Sequence, residues 1–494
     1  MRSTSTVCIA WLLSFTLVMV VGRKDEVQAQ IAHSSPPMTE FSGDAPLAIV
    51  GGTLIDLRDY GRSTEDIENS TILIRNGRIE RAGEAKDVLV PRGARIVDAK
   101  GAFVIPGLID GFGSIRTQGF ADAYLYEGVT TIYVQLSPSG EDGEQKIFPA
   151  RPSPDVLRGA MIGGYSVDGT PSHDHPWTSR RLNEKRLSSE QLIQRIEQLA
   201  SQGHRGLLIG LDVWPDQLDT IVREAHARGL VTLGEMAFTS YPYAIRAGVD
   251  SFIRSDRYQT SIDLAQDFLA YSDDPEGPGG APGYRGVCMA DLLSPSVAAF
   301  GHQLQASRTA LMPILSIEAN ADDLNVPNPW AHRASGFVQE SELDDPVGRK
   351  AGEHPYLKSH SPEKQKTLRE CAFHREDLDG RFYALGAHFL AASGSPAFGI
   401  MPGAGLHGEM KLLQRIGLSP REALAAATNN YSDSFGWHDR GLIEKNRRAD
   451  IVVLRSDPRK DIEATEDIET VILGGVVIPR NEMLDQRRKH SEVH

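Results

Sequence analysis

The sequence predicts an α/β protein: a (βα)8 TIM-like barrel beside a small β-sandwich formed by both chain ends. Three observations support this fold class. Residues 46–102 carry strand and turn patterns, the same kind of pattern returns near the carboxyl terminus, and between them short apolar runs alternate with helical patterns. A chain of 494 residues is about three times the size of one typical domain, which suits a barrel plus a second module. A doubly wound parallel sheet is the alternative.

The chain begins with a pattern typical of a secretory signal peptide. Arg2 precedes an apolar run over 7–21, and Val27-Gln28-Ala29 offers a cleavage site with small residues. We therefore predict a signal peptide over 1–29 and an exported protein, periplasmic or extracellular. Because the run is short for a bilayer span, no transmembrane segment is expected after cleavage; an uncleaved amino-terminal anchor is the alternative.

Both ends of the remaining chain are rich in Ile, Val and Leu and are broken by turn residues. Asn76-Gly77 lies between two such runs and predicts a β-hairpin. Comparable runs at 449–454 and 470–477 suggest that the two ends build one β unit. The expected boundaries are 46–105 and 440–480 for this composite β-sandwich, with a polar tail over 481–494.

The middle of the chain, residues 106–436, is assigned to the barrel. Residues 189–201 place Leu192, Ile196 and Leu199 at helical spacing, and similar helical patterns separate several of the short apolar runs. The long stretches 274–286 and 320–365 are expected to be loops over one end of the barrel. The apolar runs expected to be strands are 129–135, 206–211, 230–233, 251–254, 311–317 and 397–401.

Charge and cysteine content narrow the possible functions. Acidic residues number 66 against 52 basic ones, a balance that disfavours binding to nucleic acid. Apart from Cys8 in the signal, the cysteines are Cys288 and Cys371, too few for a cysteine metal site. They can form a disulfide in an oxidising compartment or remain two buried thiols; the sequence does not decide.

Residues 104–110, Val-Ile-Pro-Gly-Leu-Ile-Asp, resemble the segment that leads into the first barrel strand of amidohydrolase-superfamily enzymes. The likeness is strongest to the imidazolonepropionase and prolidase-like branch. The resemblance implies a metal-dependent βα barrel beside a β-sandwich built from both chain ends, in agreement with the patterns above. Further blocks match in the order that the family shows, at 128–131, 225–230, 247–251, 417–424 and 449–454.

The resemblance fails at the metal ligands. Five of the six family positions carry residues that do not bind a metal in the usual way, and only Glu235 could do so. Hydrolysis of this type needs a cation to lower the pKa of bound water and a carboxylate to take its proton. We therefore predict that the familial metal site is lost. The residues at the six positions are Phe112, Ser114, Leu208, Glu235, Arg254 and Gly403.

Two hypotheses concern what replaces the metal. Glu235 and Arg254 are expected at the ends of neighbouring strands, where they could form an ion pair or both reach solvent. His173 and His175 form the other His-x-His-like element and are weak candidates for a relocated zinc site, with His360 or His374 as a further ligand. No cofactor is predicted, and zinc is expected only if that relocated site exists.

The sequence thus favours an exported amidohydrolase-like protein that has lost metal-dependent hydrolysis. Its expected role is binding or scaffolding, with a small polar or peptide-like ligand at the barrel mouth. The alternative is an active hydrolase of C–N bonds, with a rebuilt site around His173, His175 or Glu235. A third idea makes the long loop over 320–365 an interface for a partner protein.

Overall fold

The computed structural model describes most of the chain after the amino-terminal segment. Some residues singled out in the sequence lie outside the described residues, among them His173, His175, Cys288 and His360. Cys371 is disulfide-bonded, and its partner also lies outside them. The described residues are 45–136, 152–165, 185–236, 238–259, 290–321, 329–339, 342 and 361–491.

Both chain ends contribute to one eight-stranded, mainly antiparallel sheet, as predicted. Strand β5 from the amino-terminal part pairs with β13 from the carboxyl-terminal part, and this pairing joins the two ends. Asn76 and Gly77 both have positive φ (51° and 73°), as the predicted hairpin turn requires. The strands are β1 (Leu47–Leu54), β2 (Ile67–Arg75), β3 (Arg78–Glu84), β4 (Arg95–Asp98), β5 (Phe103–Pro106), β13 (Ile451–Leu454), β14 (Ile468–Leu473) and β15 (Val476–Ile478).

A second sheet of seven parallel strands forms the barrel, in the order β12-β11-β10-β9-β8-β7-β6. Sequence order and spatial order coincide, so each strand packs beside the next one along the chain, as in a barrel rather than a doubly wound sheet. The predicted fold class is confirmed. The strands are β6 (Leu108–Gly113), β7 (Val129–Leu136), β8 (Asp155–Ile162), β9 (Gly206–Ile209), β10 (Val231–Gly234), β11 (Ser251–Ile253) and β12 (Ala310–Met312).

The segment 389–394 fills the gap between β12 and β6. Leu390 N–H donates to Leu311 O over 2.8 Å, and Gly394 N–H donates to Phe112 O over 2.8 Å. The segment therefore takes the place of the eighth strand. The predicted run 397–401 does not, because Ala397–Gly399 is a short 3-10 helix that follows it.

Helices connect the barrel strands, and several begin at the residue types that the sequence provides for capping. Ser188, Ser240, Ser294 and Ser419 each accept a hydrogen bond from a backbone N–H of the first turn. The helices are α1 (Arg58–Gly61), α2 (Gln118–Tyr126), α3 (Ser189–Ser201), α4 (Pro215–Ala227), α5 (Tyr241–Ala247), α6 (Ser255–Tyr258), α7 (Pro295–Gln305), α8 (Leu315–Ala321), α9 (Pro362–Ala384), α10 (Ala404–Arg415), α11 (Pro420–Ala426), α12 (Asn429–Phe435) and α13 (Arg480–Ser491).

Most of the polar tail expected from the sequence is helical: it belongs to helix α13, whose Met483 and Leu484 are buried. Two apolar residues among many charged ones give little helical periodicity, so the sequence did not indicate this helix. None of the helices in the described ranges combines the length and the apolar character that a bilayer crossing requires.

Candidate functional site

Glu235 and Arg254 follow the neighbouring strands β10 and β11, and both lie at the carboxyl ends of the barrel strands. The Arg254 Nη1 atom lies 3.8 Å from Glu235 Oε1, and the two side chains are 18% and 16% exposed. The backbone N–H groups of both residues donate to the adjacent strands, to Ile209 O from Glu235 and to Met312 O from Arg254. The ion pair proposed from the sequence is therefore formed, and it is largely shielded from solvent.

Arg254 has an unusual backbone conformation. Its φ is 67°, in the left-handed region that residues with a side chain rarely adopt. The hydrogen bond to Met312 O, and that of the next residue, Ser255, to Pro313 O, hold the chain in this shape. A strained residue at the end of a barrel strand is a recurrent feature of ligand sites.

Phe112, at the end of β6, and Leu208, within β9, are two of the residues expected from the resemblance to replace metal ligands. Leu208 is 4% exposed and belongs to the apolar cluster inside the barrel, and Phe112 packs against the same cluster. Ser114 follows β6 and is partly exposed. Neither Phe112 nor Leu208 carries a donor atom for a metal, so these positions do not fit the familial metal centre.

Apolar side chains fill the interior of the barrel next to these positions. Ile314, Ile317 and Phe398 join Leu208 in one buried cluster. Ile314 and Phe398 have positive φ (53° and 48°), so both sit in backbone shapes that need support from neighbouring packing. The interior is a packed core at this level.

Asp110 is a buried carboxylate that the sequence analysis treated only as part of the leader motif. It is 0% exposed and accepts hydrogen bonds from Ser393 N–H (2.9 Å), Ser393 Oγ (2.6 Å) and Phe112 N–H (3.3 Å). Burial raises the pKa of Asp110 to about 6, although these three hydrogen bonds act to lower it. An acidic residue inside an apolar β-strand motif was the signal that could have identified it.

The structure does not bring Gly403 to the mouth of the barrel. Gly403 precedes α10 with a φ of 79°, and a Cβ atom there would lie 2.9 Å from the Cβ of Glu127, just before β7 begins. This is the amino-terminal end of the strands. Ser393, at the end of the eighth-strand segment, takes the place at the mouth that was assigned to Gly403. Residues 394–402 separate the two positions, and the sequence pattern did not indicate this insertion.

Glu409, on α10, is a second buried carboxylate. It is 0% exposed and accepts hydrogen bonds from Leu315 N–H (3.0 Å), Ser316 N–H (2.8 Å) and Ser316 Oγ (2.6 Å). The pKa of Glu409 is raised to about 7. Burial is the main cause and the charge of Asp110 adds to it, whereas the hydrogen bonds from Ser316 and Leu315 act to lower the pKa. Glu409 therefore fixes the start of α8, which follows the Ile314 that packs inside the barrel.

No group of three or more His, Cys, Asp or Glu side chains among the described residues could hold a metal ion. His173 and His175 fall outside these residues, so the relocated zinc site stays a prediction. His374, which the sequence offered as a further ligand, lies 2.9 Å from Ala290 O through its Nε2 atom.

Comparison with known proteins gives a family match in the carboxyl-terminal part of the chain. Residues 386–478 match the model of the amidohydrolase family. An adenine deaminase from Deinococcus deserti is 38% identical over 124 residues, which is 21% of this chain and 22% of that protein. A second, from Paracoccus denitrificans, is 31% identical over 99 residues, 19% of this chain and 16% of that protein. The match thus spans about a fifth or less of the length of these relatives.

Solved structures match nearly the whole chain. A prolidase-like protein from Bifidobacterium longum superposes with a TM-score of 0.57 at 18% identity, covering 90% of this chain and 99% of that one. Bottromycin amidohydrolase superposes with a TM-score of 0.60 at 16% identity, covering 90% and 88%. At this identity the superpositions show a shared fold. The chain is therefore similar to the amidohydrolase superfamily in its fold and, over 386–478, in its sequence.

Proposed function

We propose that this protein is an amidohydrolase-superfamily member that no longer performs metal-dependent hydrolysis and instead binds a small polar or peptide-like ligand at the barrel mouth. The observation that carries the proposal is the Glu235–Arg254 ion pair, which stands at two of the family's metal-ligand positions. A guanidinium group repels a divalent cation and offers no lone pair to it. A metal centre of the family type therefore lacks support at these positions.

The neighbouring positions support the same conclusion. Phe112 and Leu208 contribute apolar surface, and the cluster that includes Ile314 and Phe398 takes up space inside the barrel. A hydrolytic water needs a cation to lower its pKa and an oriented base to take its proton. The residues that remain at the mouth are suited to binding charged groups.

The ion pair suggests the chemistry of the ligand. Arg254 can bind a carboxylate through two parallel hydrogen bonds, and Glu235 can accept hydrogen bonds from an ammonium or amide group. A ligand with both kinds of group, such as a dipeptide or an N-acyl amino acid, could replace the Glu235–Arg254 ion pair by one contact between Arg254 and its carboxylate and another between Glu235 and its N–H group.

Elemental mass spectrometry on protein purified without chelators tests the loss of the metal centre. We expect a folded protein with far less than one zinc per chain and no hydrolysis of dipeptides, N-acyl amino acids or adenine. Near-stoichiometric zinc that disappears in the double variant His173→Ala, His175→Ala would overturn the proposal and identify the relocated hydrolytic site.

Isothermal titration calorimetry with the same compounds tests the binding role. We expect a dipeptide or N-acyl amino acid to bind, and Arg254→Met to weaken binding at least tenfold, about 1.4 kcal/mol. Arg92→Met, a change at an exposed arginine in a turn of the composite sheet, is the control and should leave binding unchanged. Equal binding by the two variants would exclude Arg254 from the site.

We also propose that the protein is exported, on the basis of the amino-terminal charge and apolar pattern over 1–29. Amino-terminal sequencing of protein from the exported fraction should begin at Gln30. Full-length protein confined to the cytoplasm would contradict export.

A further inference from the structure

His332 lies between two carboxylates at the end of the barrel opposite to the Glu235–Arg254 pair. Its Nδ1 atom is 3.4 Å from Glu127 Oε1, and its Nε2 atom is 3.5 Å from Glu466 Oε2. The imidazole, 25% exposed, belongs to residues 329–339, which we call the strap. Only a protonated ring carries a proton on both nitrogens and can donate to both carboxylates at once.

Glu127 is a buried carboxyl group: burial raises its pKa to about 7, and the charges of His332 and Arg480 act to lower it. Its side chain is 1% exposed, and its Oε1 atom accepts no hydrogen bond from the described residues. His407 Nε2 lies 3.7 Å from Glu127 Oε2, but burial lowers the pKa of His407 to about 4, so its ring is neutral near pH 7. The Arg480 guanidinium donates to the Tyr126 and Ile468 carbonyls. A buried carboxylate without a charged partner is costly, so the His332 proton stabilises the contact.

Several other charged groups surround His332. Lys411 Nζ, on α10, lies 2.8 Å from Glu466 Oε1 and competes with His332 for that carboxylate. Arg333, on the strap itself, is exposed and adds positive charge near Glu127. The other titratable or charged groups on the packed elements are Glu466 on the 3-10 helix Ile462–Glu466, Glu127 after α2, His407 on α10 and Arg480 on α13.

The strap runs along α2 towards the mouth of the barrel. Phe337 is fully buried, and its ring lies 5.6 Å from that of Tyr126 at the end of α2. Beyond the strap, the Glu342 carbonyl accepts a hydrogen bond (3.3 Å) from Arg116, two residues after Ser114. One end of this stretch is therefore held at His332, and the other contacts the edge of the mouth.

We propose that the strap is a pH-sensitive element, fastened to the barrel while His332 is protonated and loosened as the pH rises. The deprotonated ring carries one N–H, so it can donate to only one of the two carboxylates, and it has no charge to compensate Glu127. With that proton on Nε2, Nδ1 can accept from Ala334 N–H at 3.4 Å. Burial lowers the pKa of His332, but the hydrogen bond with Glu466 and the charges of Glu127 and Glu466 outweigh burial and raise it overall. A group whose pKa is raised on folding stabilises the fastened state below its unfolded pKa, and this stabilisation is lost as the pH rises through the folded pKa.

Hydrogen–deuterium exchange with mass spectrometry on the full chain, between pH 5.5 and 8.5, tests the proposal. After correction for the intrinsic pH dependence of exchange, we expect protection of peptides from 329–339 to fall by up to about tenfold per pH unit above the pKa of His332. In His332→Gln, protection should be weaker at pH 5.5 and should depend less steeply on pH, because only Glu127, whose pKa burial raises to about 7, still titrates in this contact. A flat wild-type profile, or an unchanged slope in His332→Gln, would overturn the proposal.

Two further variants separate the strap from general effects of pH. Glu466→Gln removes one of the carboxylates and should shift loosening to lower pH without abolishing it. His226→Gln is the matched control, because His226 also pairs with a carboxylate, Asp250, at 2.9 Å, but lies at the end of α4. It should leave the strap profile unchanged. A change as large as that in His332→Gln would show that the strap reports global stability, and the proposal would fail.

Discussion

The Ser393 hydroxyl donates a 2.6 Å hydrogen bond to the carboxylate of Asp110, a residue 283 positions earlier in the chain. Asp110 belongs to the first barrel strand, and Ser393 ends the segment in the place of the eighth, so the bond joins the two edges of the sheet. The Ser393 and Phe112 N–H groups donate to the same carboxylate. A buried acidic residue with no basic partner among these contacts therefore adds to the backbone hydrogen bonds that close the barrel.

Asp110 should make stability depend on pH in a mildly acidic window. Burial raises its folded pKa to about 6 from an ordinary value of 3.8. The protonated residue is thus favoured in the folded state, and this contribution is lost as the pH rises from about 4 to about 6. The shift corresponds to about 3 kcal/mol as an upper limit. In Asp110→Asn, which cannot ionise, the free energy of unfolding should not show this fall.

Urea denaturation of wild type and Asp110→Asn at pH 4, 5, 6 and 7 measures the difference. The stability of wild type relative to the variant should decrease steadily across this range. Ser393→Ala retains the carboxylate and serves as the control, with a pH-dependent loss still present. If Asp110→Asn follows the wild-type slope, Asp110 is ionised at all of these pH values and the assignment is incorrect.

Leu208→Ala should destabilise the protein through a cavity inside the barrel. Leu208 is 4% exposed, and its packing neighbours come from several barrel segments, so the space can close only in part. Substitutions of this kind cost about 2–5 kcal/mol. Leu293→Ala, at a leucine that is 78% exposed, should change the free energy of unfolding by less than about 0.5 kcal/mol. Equal effects of the two changes would mean that Leu208 is not part of a packed core.

The sequence was sufficient for the architecture because periodicity reports directly on burial. Alternating strands and helices, and a hairpin turn at Asn76-Gly77, are local patterns that the structure keeps. The neighbouring positions of Glu235 and Arg254 also followed from strand order, since each lies one residue beyond the end of its strand.

Features that depend on contacts distant in the chain could not be found in this way. Gly403 was assigned to the mouth because the apolar run 397–401 looks like a strand, whereas Phe398 turns into the barrel core with positive φ. Glu409 sits on an amphipathic helix where an exposed position is the usual one for a carboxylate, and its burial depends on Ser316, 93 residues away. Neither relationship leaves a local pattern.

The charge of Arg254 should stabilise the fold, whereas its backbone conformation with positive φ should destabilise it. Arg254→Ala leaves Glu235, 16% exposed, without its ion-pair partner at 3.8 Å, and should cost about 1–3 kcal/mol. Arg254→Gly removes the same charge but relaxes the positive φ, so it should be more stable than Arg254→Ala by about 1 kcal/mol.

Thermal and urea denaturation of the two variants separates these contributions. The double variant with Glu235→Gln should recover part of the loss, because no unpaired carboxylate then remains. If Arg254→Ala is as stable as wild type, the pair is solvated and contributes nothing to the fold. If the Gly and Ala variants are equally stable, the conformation of Arg254 carries no strain.

Ionised Asp66 should stabilise the contact between the composite sheet and the barrel, and strong acid should remove this stabilisation. Its carboxylate accepts hydrogen bonds from Arg421 on α11 (2.7 and 2.8 Å) and from Arg459 (2.7 Å). Burial opposes ionisation, but the hydrogen bonds from these arginines and from Asp56 N–H outweigh it and lower the pKa of Asp66 to about 2. For a lowered pKa the stabilisation is present above about 4 and is lost as the pH falls towards 2.

Asp66→Asn should therefore lower the free energy of unfolding by about 2 kcal/mol at pH 7, and the gap to wild type should close below pH 4. Asp87→Asn, a change of an exposed carboxylate on the same sheet, should have no comparable effect. Denaturation of the three proteins at pH 7, 4 and 2.5 measures the gap. If the difference in free energy of unfolding between wild type and Asp66→Asn does not change with pH, Asp66 acts through packing rather than through its charge. Its ionised carboxylate would then not be needed by Arg421 and Arg459.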